Sequence, residues 1–173
     1  RVLDKVLHPA VLLRVAGNLE GIRWILNYRD VREVTTPPRF HLPADYRRLP
    51  LKDLPDPQPL EESAPKVAVL DSGLVSNHPH LQGVVADEES FIEGLSPSDD
   101  VGHGTAVAGI ATYGDLEQAV ANQRFQPCAW LLSGRILDGA NEYDDELIEN
   151  QIRRAVEAFT EDYACGIFNL SIG

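Results

Sequence analysis

Two side chains able to share a proton stand in short, distinctive contexts: Asp71 closes the apolar run of VAVLDSGL, and His103 sits between two glycines in GHGTAVAGI. A histidine at the mouth of a run of small apolar residues admits three readings: a buried structural histidine, a metal ligand or a general base. Base chemistry needs a nucleophile at one ring nitrogen and a carboxylate at the other, to set the tautomer and stabilise the imidazolium. Asp71 is of the right type, although an aspartate ending a strand also serves as a turn or cap residue. His78 and His80 flank Pro79 in SNHPHL, where they read as metal ligands or as residues of an exposed turn. Asp99 and Asp100 precede His103, either as a solvated loop or as the rim of a cleft that adds negative potential beside the ring.

The elements that must carry these residues follow from the patterning after Lys66. KVAVLD reads as a buried strand ending on Asp71, GVVADEESF as a weaker strand, and CAWLLSGRIL and GIFNLSIG as further buried strands. HGTAVAGIATYG has small residues at helical spacing and a glycine stop, so a helix is expected to begin at His103. In DDELIENQIRRAVEAFTEDY (144–163), Leu147, Ile148, Ile152, Ala155, Val156 and Phe159 form one stripe. Asp144, Asp145 and Glu146 stand where a helix dipole favours them. Strands alternating with helices predict an α/β domain over 66–173: three layers, a mostly parallel sheet, flanking helices and right-handed crossovers. Ligands of such sheets gather at the carboxyl ends of the strands, where Asp71 falls.

Upstream, AVLLRVAG reads as a strand, and Leu19, Ile22, Ile25 and Leu26 share a helical face after Asn18, a plausible N-cap. VREVT alternates like a half-buried strand. Residues 1–36 are therefore expected to form a small βαβ-like appendage, too small to bury a core alone, and the proline-rich stretch 37–65 an extended linker.

The bulk composition narrows the function. A chain of 173 residues with a net charge of −12 and a pI near 4.7 is poorly suited to nucleic acid, which draws on clustered Lys and Arg. No run of about 18 apolar residues occurs, so no membrane span is expected, and no basic-then-apolar leader is visible. Cys128 and Cys165 are far apart without metal-site spacing and are expected to be buried free thiols, which favours a reducing compartment. A start at Arg1 without Met and a stop inside GIFNLSIG read as a piece of a longer protein.

VAVLDSGL, GHGTAVAGI and FNLSIG, in this order, resemble the subtilisin-like serine proteases, or subtilases, over residues 66–173. The resemblance implies a subtilisin-like fold, here truncated, and a serine endopeptidase with an Asp-His-Ser triad in which Asp71 and His103 are the catalytic residues present. Gly102 and Gly104 would leave space around the ring. By the same resemblance, Gly139, Ser171 and Gly173 would bind an extended peptide by strand addition, with Asn169 structural. The family's nucleophile, in a G-T-S-x-A context, and its oxyanion Asn are not in this chain, so these residues alone are expected to be inert. No cofactor is implied; a structural calcium occurs in the family, but His80 stands where the family often has an Asp ligand, which argues against it.

The implied partners are a peptide or protein substrate and the remainder of the catalytic domain. A looser likeness, to a bacterial group some of whose members work inside cells beside an ATPase, adds an ATPase partner and a cytoplasmic location. Residues 1–36 resemble the last half of the family's propeptide, the alternative being the end of a preceding domain. A pseudoprotease, keeping the fold as a peptide-binding or assembly module, is the competing reading; intact Asp71 and His103 motifs favour an active parent. An unrelated α/β hydrolase or nucleotide-binding protein fits less well, because neither a G-x-S-x-G elbow nor a glycine-rich phosphate loop is present. An isolated piece with an open sheet edge is expected to be poorly soluble, dimeric, or bound to its other half.

Overall fold

The computed structural model describes residues 2–7, 10–34, 54–139 and 147–171. Strands β1 (Val2–Leu7) and β2 (Ala10–Val15) pair antiparallel from Val2↔Val15 to Leu7↔Ala10. Helix α1 (Leu19–Leu26) follows, its N-terminus capped by Asn18, whose side chain accepts from the Gly21 N–H at 2.9 Å. This corrects the expected strand–helix–strand order. The strand expected over 31–35 is absent from the described residues 31–34, and the partner of β2 is the preceding β1. Val31 and Val34 are three positions apart and would point to opposite faces of a strand, so the segment has no single face to bury.

Five of the six positions of β3 (Lys66–Asp71) are buried, as an apolar run between two helical layers requires. It lies in a four-stranded sheet of order β4-β5-β3-β6, with β4 (Val85–Ser90), β5 (Trp130–Arg135) and the short β6 (Phe168–Asn169), every pair parallel. The β3–β5 register runs from Lys66↔Trp130 to Asp71↔Arg135, so the carboxyl ends of the two central strands are level.

Strand alternation divides the core into two. Val67, Val69 and Leu131 face α2 (His103–Tyr113), packing with Ala108, Leu74, Leu81 and Val84. Ala68, Leu70 and Leu132 face α4 (Ile148–Tyr163), packing with Ala155, Phe159, Phe91 and Cys165. Phe91 and Phe159 meet edge-on at 5.7 Å. Gly134 admits them, since a Cβ there would lie 3.2 Å from both rings. The result is the three-layer α/β arrangement expected for residues 66–173.

A short helix, α3 (Leu116–Ala121), was not expected; Asp115 caps it by accepting from the Gln118 N–H at 2.9 Å. Within α4, Gln151 is buried beside the apolar stripe, while Asp144, Asp145 and Glu146 lie outside the described residues. Residues 54–65 are tied to the domain by backbone groups: Gln58 N–H donates to the Phe125 carbonyl, and Pro65 and Glu61 carbonyls accept from Trp130.

Candidate active site

Asp71 ends β3, and His103 begins α2, the helix packed on the same strand. The two side chains meet: His103 Nδ1 lies 2.6 Å from Asp71 Oδ1, with Asp71 1% and His103 12% exposed. Asp71 Oδ1 also accepts from the Ser72 N–H at 2.8 Å. The Asp71 carbonyl takes the N–H groups of Ile136 and Leu137, fastening the strand end to the chain leaving β5. Burial pushes the Asp71 carboxyl above the ordinary aspartate range, although hydrogen bonds from His103 and Ser72 pull the other way. With Nδ1–H donated to a carboxylate, Nε2 is the ring nitrogen left to exchange a proton.

Close backbone approach makes this meeting possible. A Cβ on Gly104 would lie 2.2 Å from the Gly73 carbonyl oxygen. The role of Gly104 is therefore to let α2 touch the β3 turn, rather than to leave space around the ring. Gly102, at φ +91°, supplies the left-handed turn into the helix.

Asp99 is not the solvated loop residue that its acidic neighbourhood suggests. It is 7% exposed and receives Ser72 Oγ, Val101 N and Gly102 N on Oδ1, and Thr105 N and Oγ1 on Oδ2. Burial alone would raise its carboxyl; the hydrogen bonds from Thr105, Gly102 and Ser72 outweigh that and hold it below the ordinary value. Asp100 is 63% exposed and pairs at 3.0 Å with Arg135, which is 1% exposed. Arg135 also donates to the carbonyls of Leu137, Ser96 and Ser98, holding the loop that carries Asp99. Sequence reasoning overlooked Arg135; a lone arginine closing a buried strand was the available signal.

Gly139 is exposed just after β5, Ser171 donates through Oγ to Asn169 Oδ1 at 2.9 Å, and Gly173 lies outside the described residues. His80 is buried rather than in an exposed turn: its Nε2 is 3.1 Å from the Pro55 carbonyl and its ring meets Phe125 edge-on at 4.6 Å. The His80 ring offers nitrogen, whereas calcium takes oxygen ligands. Among the described residues no group of three or more His, Cys, Asp or Glu could hold a metal ion. Of the two free thiols Cys165 is buried, but Cys128 is exposed, contrary to expectation; it follows Pro127 before β5, where the run has not yet entered the sheet.

Comparison with known proteins places the chain by its sequence. The model of the Subtilase family matches residues 62–173. Thermitase of Thermoactinomyces vulgaris is 33% identical over 119 residues, 65% of this chain and 39% of that protein. The major intracellular serine protease of Bacillus subtilis (strain 168) is 33% identical over 114 residues, 62% of this chain and 34% of that protein. The matched region thus spans well under half the length of either relative.

Proposed function

The chain belongs to the subtilase family, and on that premise we propose that it supplies the Asp and His of a serine endopeptidase's triad, the serine coming from a segment outside these residues. The observation that carries the proposal is the 2.6 Å contact between His103 Nδ1 and Asp71 Oδ1 at the carboxyl end of β3. The small share of each relative that is matched accords with a nucleophile elsewhere.

In this reading His103 Nε2 takes the proton of the serine hydroxyl as its oxygen attacks the peptide carbonyl. The imidazolium then passes that proton to the leaving amine, and the neutral ring activates water to release the acyl group. Asp71 keeps Nδ1 protonated throughout and stabilises the transient positive charge. The substrate is a peptide or protein; Gly139, Ser171 and Gly173 are proposed to pair with its backbone. No step passes through a metal or cofactor. Among the described residues no helix is long and apolar enough to cross a membrane. The exposed, unpaired Cys128 supports a reducing, cytoplasmic setting.

The test is hydrolysis of an unstructured protein substrate by the full-length protein and its Asp71→Asn and His103→Ala variants. Each variant is expected to lose on the order of 10³-fold or more in kcat with little change in KM. Full activity in folded His103→Ala protein would sink the proposal. No hydrolysis by any form, with peptide binding retained, would turn the weight to the pseudoprotease.

A further inference from the structure

His103 is the first residue of α2, and the opening of any helix leaves backbone N–H groups without intrahelical acceptors. The N-cap residue, Gly102, has no side chain to offer. The acceptors come instead from Asp99 and Ser72. Asp99 Oδ2 takes the Thr105 N–H at 2.8 Å and the Thr105 hydroxyl at 2.6 Å, while Oδ1 takes the Gly102 N–H at 2.7 Å. Ser72 Oγ accepts from the Gly104 N–H at 3.0 Å and donates to Asp99 Oδ1 at 2.9 Å. The bonds therefore grip the chain on both sides of His103. Ser72, at their other end, is the residue that follows Asp71.

We infer that Asp99 is a positioning residue for His103: its carboxylate locks the first turn of α2 to the end of β3, and so holds the imidazole on Asp71. The inference rests on the proposal that His103 is the base. Only an ionised carboxylate suits the place. It is acceptor-only, and every group facing it is a donor; an amide would turn an N–H₂ toward Thr105 or Gly102. Its negative charge also stands at the positive end of the helix dipole. Thr105 extends the lock, since its hydroxyl oxygen accepts from the Val75 N–H at 3.1 Å while donating to Asp99.

The experiment reads the His103 Nδ1 proton directly. Full-length protein with isotope-labelled histidine is examined by NMR for a low-field Nδ1–H resonance, assigned through its loss in His103→Gln and Asp71→Asn. The same spectrum is recorded for Asp99→Asn, Thr105→Val and Thr105→Ser, with circular dichroism reporting the fold. Solvent exchange of this proton is expected to accelerate about tenfold or more in Asp99→Asn and Thr105→Val, as the loss of a charge-assisted hydrogen bond implies. Thr105→Ser, which keeps the hydroxyl, is expected to match the parent. A role in folding alone would lower the folded fraction and leave the resonance of folded molecules unmoved. Folded Asp99→Asn protein with the parent's resonance and exchange rate would overturn the inference. Should that variant not fold, the contrast between Thr105→Val and Thr105→Ser decides by the same criterion. Absence of the low-field proton from the parent would overturn the His103–Asp71 reading itself, and this inference with it.

Discussion

The backbone of Gly104 passes so close to that of Gly73 that a Cβ built on Gly104 would lie 2.2 Å from the Gly73 carbonyl oxygen. This contact joins the first turn of α2 to the turn leaving β3, and so brings His103 to Asp71. The obstructing atom is backbone, with no flexible side chain to yield. Gly104→Ala is expected to cost about 3 kcal/mol, the upper range for overpacking a tight contact. Urea denaturation would measure it, and activity in the folded fraction should fall as His103 is displaced. An Ala variant as stable and active as the parent would contradict the geometry.

The Asp99 carboxyl gives an expectation for acid. Its donors hold it below the ordinary aspartate value of 3.8, so the unfolded chain binds the proton more readily than the folded one. The stabilisation is complete above that ordinary value and is lost as pH falls through the lower, folded-state value. Asp99→Asn removes the titration, and its stability should fall less steeply than the parent's as pH drops below about 4. Asp71 works in the opposite sense, since burial raises its carboxyl. Parallel stability curves for parent and Asp99→Asn would contradict the assignment.

Arg135 anchors the loop from Ser96 to Asp100 by donating to carbonyls and to Asp100. Arg135→Ala leaves the buried Leu137 carbonyl without its donor and releases the Ser96 and Ser98 carbonyls, and is expected to cost about 2–3 kcal/mol by denaturant titration. Arg135→Lys keeps the charge but lacks the planar fork, and should recover only part of the loss. Equal stability of the Lys variant and the parent would mean that charge, not geometry, is what the loop requires.

Ala164 ends α4 at φ +52°, in the left-handed region where a Cβ is strained. The following N–H groups still close the helix, Ala164 onto the Thr160 carbonyl and Cys165 onto that of Phe159. Ala164→Gly relieves the strain but frees the unfolded chain. The balance is expected to favour the variant by about 0.5 kcal/mol, as a modest rise in denaturation midpoint.

The layered domain was legible where burial repeats with one period. KVAVLD and CAWLLSGRIL announce strands covered on both faces, and the α4 stripe names its own inward residues. Asp71 and His103 were legible through the resemblance that VAVLDSGL, GHGTAVAGI and FNLSIG carry together, since each residue alone left a structural reading open. Asp99 was not, because what buries a carboxylate is a convergence of donors, and Ser72 and Thr105 come to it from different elements. His80 was misread for a similar reason: its shelter comes from Pro55 and Phe125, distant in sequence. At the N-terminus, Val31 and Val34 are three positions apart, which would set them on opposite faces of a strand, and the partner that β2 finds is β1.

The central claim is that His103 is the base half of a serine triad. It is tested most directly by treating the full-length protein with a fluorophosphonate and recording its intact mass, beside a His103→Ala control. The account expects one phosphonyl adduct on a serine outside these residues, lost in the control. No adduct on folded parent protein, or equal labelling of the control, would contradict it.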